Sequence, residues 1–306
     1  MARILFSLFS NINWLGGTEI DPFYEGFINT LIKQGNDVML LRTNEFLPYQ
    51  EKNTLFNFIN SNKLVQDAVD FSPDIVIAAN NHIPKVILNA LDCPVALWTS
   101  DSPAWYSDKD YIKKNIHKYK FFHHGWDNVH VKICMETFNA RLDQNYCIGY
   151  TTAIRSENKT INSNITFVGT VGHSQNMINF LKYHCRNNDI HRLKEFYQET
   201  LQSPLRNISN HFNDKLTLSD FHQVITGNNR IKTLDTISDL GLTAYGLPTN
   251  FLEVAAYSME LALCFNYTPI VSLEDSQNIF NSSKIGINLY SAHAITGFSW
   301  RVPDIM

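Results

Sequence analysis

What most constrains this chain is an alternation. Short apolar runs are followed, again and again, by longer stretches whose apolar residues recur at helical spacing. Residues 3–10 (RILFSLFS) are almost continuously apolar, as expected of a strand covered on both faces. Residues 21–34 carry Phe23, Phe27, Ile28, Leu31 and Ile32 at helical spacing, and Gly35 stands where a helix ends in a left-handed residue. The spacing then predicts a strand over 37–43, a helix over 53–68, a strand in PDIVIAAN (73–80) and a short helix over 84–90. Strands follow in CPVALWTSD (93–101) and YKFFHHG (119–125), and a helix in HVKICMETF (130–138). Such a β-α-β series folds as a parallel sheet with helices on its faces.

Near Tyr150 the pattern resets. Residues 151–164 (TTAIRSENKTINSN) are polar, lack periodicity and read as a linker. A second start follows: a strand over 165–168, the loop GTVGHS, and a helix over 177–183. A polar, helix-rich stretch over about 186–229 reads as an insertion, after which strands are predicted in LTAYG (242–246), TPIVS (268–272) and KIGINLY (284–290). A chain of 306 residues exceeds what one core usually serves. The expectation is two tandem Rossmann-like, doubly wound α/β domains, residues 1–152 and 153–306, with the second incomplete.

Charge and composition narrow the partners. The net charge is −4, with no basic block, so nucleic acid is not an expected partner, although local groups can still hold an anion. The apolar run after Met1 is too short for a signal peptide, and no run of apolar residues is long enough to span a bilayer. The five cysteines, Cys93, Cys134, Cys147, Cys185 and Cys264, are dispersed and mostly set in apolar segments. They read as reduced core residues of a cytoplasmic protein.

Both halves open as strand, glycine loop, helix: FSNINWLGGTE in the first and FVGTVGHS in the second. A loop of this kind can turn backbone N–H groups and a helix N-terminus toward a phosphate, or can simply be a tight turn. Neither is the GxGxxG fingerprint or a Walker A sequence. Ligands of open α/β sheets bind at the carboxyl ends of the strands, which favours the phosphate reading for two such loops in succession.

The order of these motifs resembles the two-domain, GT-B type glycosyltransferases. Gly16-Gly17-Thr18-Glu19 is similar to the first-loop GG-x-E of group 1 members, FVGTV to the F-V-G-[ST] opening their C-terminal domain, and LTAYG to the strand ending in Y-G before the donor base pocket. The tail NSSKIGINLYSAHAITGFSWRVPDIM resembles the S-K-I-x-L-N-x-H…R-x-[FP]-[DE] segment of the spore-maturation CgeB-like subgroup, whose W-x-x-D-[DS]-P resembles WTSDSP here. The resemblance implies a nucleotide-sugar donor on the C-terminal domain and an acceptor on the N-terminal one. It implies no cofactor beyond that donor, and roughly 70–100 further residues to complete the second domain.

Candidate site residues follow. Asp101, just past a strand and before Ser-Pro, could act as general base on an acceptor hydroxyl or cap the turn. His82, after the preceding strand, could deprotonate the acceptor, hold a phosphate, or be a polar loop residue before Pro84. Glu19 could orient the acceptor or serve a helix N-terminus. His123 and His124 end a strand where one should face the cleft; as a pair they are a weak metal site with no third ligand in spacing, so no metal is expected. Trp14, in its loop, could stack on a sugar, while Phe23, Tyr24 and Phe27 belong to the core. On the donor side stand Gly16, Gly17, Gly169, Thr170, Gly172, His173, Tyr245, Gly246, Ser299, Arg301 and Asp304. Arg301 can pair bidentately with diphosphate oxygens, and Asp304 takes a position where the family more often has Glu.

The expected activity is transfer of a sugar from a nucleotide-sugar donor to a saccharide or lipid-linked acceptor, as in surface polysaccharide biosynthesis. The setting would be the cytoplasm, possible peripheral association at the inner face of the membrane included. The rivals are a non-catalytic binding or scaffold protein on the same fold and a nucleotide-sugar epimerase.

Overall fold

The computed structural model describes residues 1–8, 11–12, 18–19, 22–42, 54–99, 103, 106, 109–124, 128–148, 160–171, 226–246, 250–268, 270 and 273–289. The chain divides into two compact α/β units, the first built mainly from Met1–Thr152 and the second mainly from the residues after it.

In the first unit the described elements are β1 (Arg3–Leu8), β2 (Asn11–Ile12), β3 (Thr18–Glu19), α1 (Pro22–Lys33), β4 (Asp37–Arg42), α2 (Thr54–Phe71), β5 (Ile75–Ala79), α3 (Lys85–Ala90), β6 (Val95–Thr99), α4 (Lys109–Lys114), β7 (Tyr119–His124), α5 (Asn128–Phe138) and β8 (Asn145–Ile148). Six strands form one all-parallel sheet in the order β4-β1-β5-β6-β7-β8. β1 lies inside it, with Ile4 opposite Val38 on one side and Ile75 on the other.

The continuous apolar runs have a simple cause. Leu5 enters the core beneath α2 to α5, with Val76, Leu97, Phe121, Ile112 and Phe138, while Phe6 and Leu8 enter a separate core with Ile28, Ala79 and Trp98 on the face covered by α1. Both faces are buried, so both residue parities must be apolar. Each large side chain fully buried there contributes about 1.5–3 kcal/mol relative to exposure. On the α1 face the Phe27 ring lies 4.7 Å from that of Trp98, which in turn meets Tyr24 edge-on at 5.6 Å.

The expected helix end at Gly35 is present. Its φ is 85°, its N–H donates to Ile32 O (2.9 Å) and the Asn36 N–H donates to Leu31 O (3.2 Å), which closes the last turn and frees the chain to enter β4.

In the second unit β9 (Ser163–Val168), β10 (Leu242–Tyr245), β11 (Phe265–Asn266) and β12 (Ser283–Ile287) form an all-parallel sheet in the order β11-β10-β9-β12. Its core gathers Ile165 and Phe167 of β9, Leu242 and Ala244 of β10, Phe265 of β11, and Val254, Leu261 and Ala262 from helices at Phe251–Tyr257 and Met259–Leu263. The wholly buried Thr166 is satisfied by hydroxyls, its Oγ1 lying 3.1 Å from Ser163 Oγ and 2.5 Å from Ser283 Oγ.

Three expectations need correction. β8 was not anticipated as a strand. The strand expected over 268–272 does not include Thr268 or Ile270; the edge strand is Phe265–Asn266, ended when Asn266 Oδ1 accepts a hydrogen bond from the Thr268 N–H (3.0 Å). Of the stretch read as an insertion only residues 226–229 are described; they open a helix over 226–235 that carries Ile231 and Leu234 into the core. Cys147 is exposed on the edge strand β8, whereas Cys134 is buried. The helix expected over 177–183 lies outside the described residues.

Candidate functional site

In a parallel sheet a binding crevice opens where two neighbouring strands send their chains to opposite faces. Numbering the strands of the first sheet in chain order gives 2-1-3-4-5-6, so the winding reverses between β1 and β5. The packing agrees: α1, the helix after β1, lies over one face through Ile28, and α3, after β5, lies over the other through Ile87 and Leu88. The second sheet runs 3-2-1-4, which puts its reversal between β9 and β12.

At the first reversal the chain leaves β5 through Asn80 and Asn81, both left-handed at φ 48° and 59°. Asparagine tolerates that conformation far better than most residues. The bend is pinned by the Asn80 N–H donating to Trp98 O and the His82 N–H donating to Ala79 O, both at 2.8 Å, and by the Ser7 hydroxyl of β1 donating to the His82 carbonyl. His82 is thereby held beside the carboxyl end of β1. Burial pulls its imidazole from the ordinary 6.5 down to about 4, so at neutral pH it is an uncharged hydrogen-bonding group rather than a cation.

After β1 the chain forms a small antiparallel ladder, Asn11 opposite Glu19 and Ile12 opposite Thr18. Glu19 is thus paired at backbone level with Asn11, three positions past the end of β1. Gly16, Gly17 and Trp14 lie outside the described residues, as does Asp101, which follows β6 by two positions.

His123 is not a cleft residue. It is 1% exposed, its Nδ1 is 2.7 Å from Thr99 Oγ1, and its Nε2 is 2.9 Å from Asn145 Oδ1. Asn145 donates through Nδ2 to Arg141 O (2.8 Å), which leaves Oδ1 as the acceptor and assigns Nε2 as a donor. With both nitrogens engaged across β6, β7 and β8, this histidine is a structural link and cannot ligate a metal. Among the described residues no group of three or more His, Cys, Asp or Glu is placed to hold a metal ion.

At the second reversal β9 runs into Gly169, Thr170 and Val171; β10, on the side of β9 away from β12, ends at Tyr245 and is followed by Gly246. The Gly169 N–H donates to Tyr245 O at 3.0 Å. A Cβ on Gly246 would lie 3.0 Å from the Phe265 ring and 3.5 Å from Gly169 O, and one on Gly169 would lie 2.9 Å from the Phe167 ring. A side chain at either position would therefore require the Phe167 or Phe265 ring to shift. Gly172, His173, Ser299, Arg301 and Asp304 lie outside the described residues.

One residue at this edge was not anticipated. Arg230, in the helix over 226–235, donates from Nη1 to Thr170 O (2.7 Å) and from Nη2 to Leu289 O (3.1 Å). It joins the chain leaving β9 to the chain leaving β12. The apolar pair Ile231 and Leu234 beside it was the available sequence signal for a core helix here.

No protein-family model matches the chain, and no curated protein matches it. Among solved structures it is similar to a glycosyltransferase from Rickettsia africae ESF-5, at 11% identity and a TM-score of 0.37, with 94% of this chain and 68% of that one covered. A likeness that distant does not bear on activity.

Proposed function

We propose that the chain is a glycosyltransferase that moves a sugar from a nucleotide-sugar donor to a saccharide or lipid-linked acceptor, in the manner of surface polysaccharide biosynthesis. The carrying observation is topological. In each unit the sheet reverses its winding next to the strand that leads into a glycine-containing loop, β1 in the first and β9 in the second. A reversal beside a loop rich in backbone N–H groups suits an anionic ligand. The order of the motifs that resemble GT-B glycosyltransferases supports the same reading.

On this reading the second unit takes the donor, its phosphates resting against Gly169, Thr170, Gly172 and His173 and meeting Arg301, with Asp304, Ser299, Tyr245 and Gly246 around the nucleoside and sugar. The first unit takes the acceptor. Asp101 is the general base, and Glu19 orients the acceptor hydroxyl. His82, kept neutral, hydrogen-bonds the acceptor rather than holding a phosphate by charge. The leaving diphosphate is stabilised by oriented amides and the Arg301 guanidinium.

The test is isothermal titration of the whole chain with UDP-, GDP-, TDP- and CMP-sugars. Saturable binding of one nucleotide class is expected. Silence with all four defeats the proposal.

A further inference from the structure

We infer that Arg230 is a positioning residue of the second unit's binding edge: its guanidinium sets the spacing between the loop after β9 and the segment after β12, and so presets the floor on which a nucleoside diphosphate rests. The inference rests on the donor reading above and names a residue that no sequence motif assigned.

The geometry argues for it from three sides. First, Arg230 bonds two backbone carbonyls far apart in sequence, Thr170 O at 2.7 Å and Leu289 O at 3.1 Å, one from each of the segments that flank the reversal. Among the described residues, no strand pairing joins these two segments past the last ladder pair of β12 with β9, Ile287 with Phe167. A planar guanidinium offers two donors on separate nitrogens in a fixed fork, so it holds both carbonyls at one separation, whereas the donors of an ammonium share one rotatable nitrogen and fix none. Second, the fork has a rigid base. Ile231, the next residue, and Leu234, one turn on, are 5% and 0% exposed in the same core that receives Val171 and Leu289. Third, the tie is made through Thr170 O, within the loop proposed to face the phosphates, while the Gly169 N–H is already committed to Tyr245 O. The loop is thus fastened on one side to β10 and on the other, through Arg230, to the β12 segment. A preorganised loop spends less of its binding energy on ordering, which raises affinity without a new contact to the ligand.

Arg230→Lys tests this. Lysine keeps the charge and the aliphatic stem but gathers its three donors on one rotatable nitrogen, so it cannot hold the two carbonyls at the separation that the planar fork fixes. Titration of the whole chain with UDP, GDP, TDP and CMP identifies the nucleotide that the wild type binds. The variant is expected to bind it about tenfold more weakly, the consequence of losing one charge-assisted hydrogen bond from the preset loop. Its thermal midpoint should fall by only a few degrees, at about 2–4 °C per kcal/mol lost, and hydrogen exchange should quicken at residues 169–171 and 286–289 together. A purely structural arginine would lower the midpoint without a separate change in affinity. If the wild type binds none of the four nucleotides, the donor reading falls and takes this inference with it. If the wild type binds and Arg230→Lys stays within twofold, the inference alone is overturned. Should Arg230→Lys unfold, exchange is measured on the wild type with and without the bound nucleotide. Protection of both segments together supports the tie, and protection of only one refutes it.

Discussion

Lowering the pH should destabilise this protein through His82, by an amount the structure sets. The imidazole sits at about 4 in the folded state against an ordinary 6.5, because burial disfavours its charged form. Above about pH 7 it is neutral folded or unfolded and contributes nothing to the pH dependence. As the pH falls through 6.5 the unfolded chain takes up the proton and the folded chain does not, so stability declines with a limiting slope of about 1.4 kcal/mol per pH unit. The decline flattens near pH 4, where the folded form also protonates. Between pH 7.5 and 5 the linkage gives a loss of about 2 kcal/mol, and the whole gap from 6.5 to 4 corresponds to about 3.4 kcal/mol as an upper bound. The assay is a series of urea unfolding curves over that range on the wild type and on His82→Asn. The variant removes the titration and keeps the two bonds that residue 82 makes through its main chain, its carbonyl accepting from the Ser7 hydroxyl and its N–H donating to Ala79 O. The wild type should lose about 2 kcal/mol more than the variant between pH 7.5 and 5. Parallel pH profiles, or an NMR titration of His82 with a midpoint near 6.5, would refute the reasoning.

Three further outcomes are expected. Gly241→Ala should cost about 1–2 kcal/mol in a thermal melt, because φ is 79° there and the new Cβ would lie 2.8 Å from Asn164 Nδ2; a change below 0.5 kcal/mol would contradict it. Asn145→Ala strips the acceptor from the buried His123 Nε2 and should destabilise by about 1–3 kcal/mol in urea, and an unaltered midpoint would show that the link is dispensable. Mass spectrometry after brief maleimide treatment of the native protein should find Cys147 modified and Cys134 protected until denaturant is added, since burial pushes the Cys134 thiol far up; early labelling of Cys134 would contradict its burial.

Much of the first sheet could be read from the sequence because two-sided burial leaves an unambiguous mark. RILFSL and VALWT have no polar parity to confuse them, and Gly35 announced its helix end. β8 escaped notice for a physical reason. It is a short edge strand whose Tyr146 and Cys147 are exposed, and Asn145 is polar because it must meet the His123 ring. TPIVS misled in the opposite way: its apolar residues outweigh Phe265-Asn266 in hydropathy, yet the Asn266 side chain turns the chain before them. Of His123 and His124 at least one was expected to face a cleft, and only the Thr99 and Asn145 contacts reveal that His123 is interior. Arg230 carried no local signal of its role, since both its partners are main-chain carbonyls that any residue would supply.

The pairing of β12 with β9 bears on how the chain is made. Ser283 reaches Thr166 across 117 positions, and β10, the other neighbour of β9, lies about as far along as Leu242. On the ribosome, β9 therefore emerges with both edges open and waits for most of the second unit before either is covered. Unpaired strand edges invite other chains, so the nascent second unit is the part that most needs chaperone shelter, while the first unit completes its sheet with β8 before β9 is synthesised.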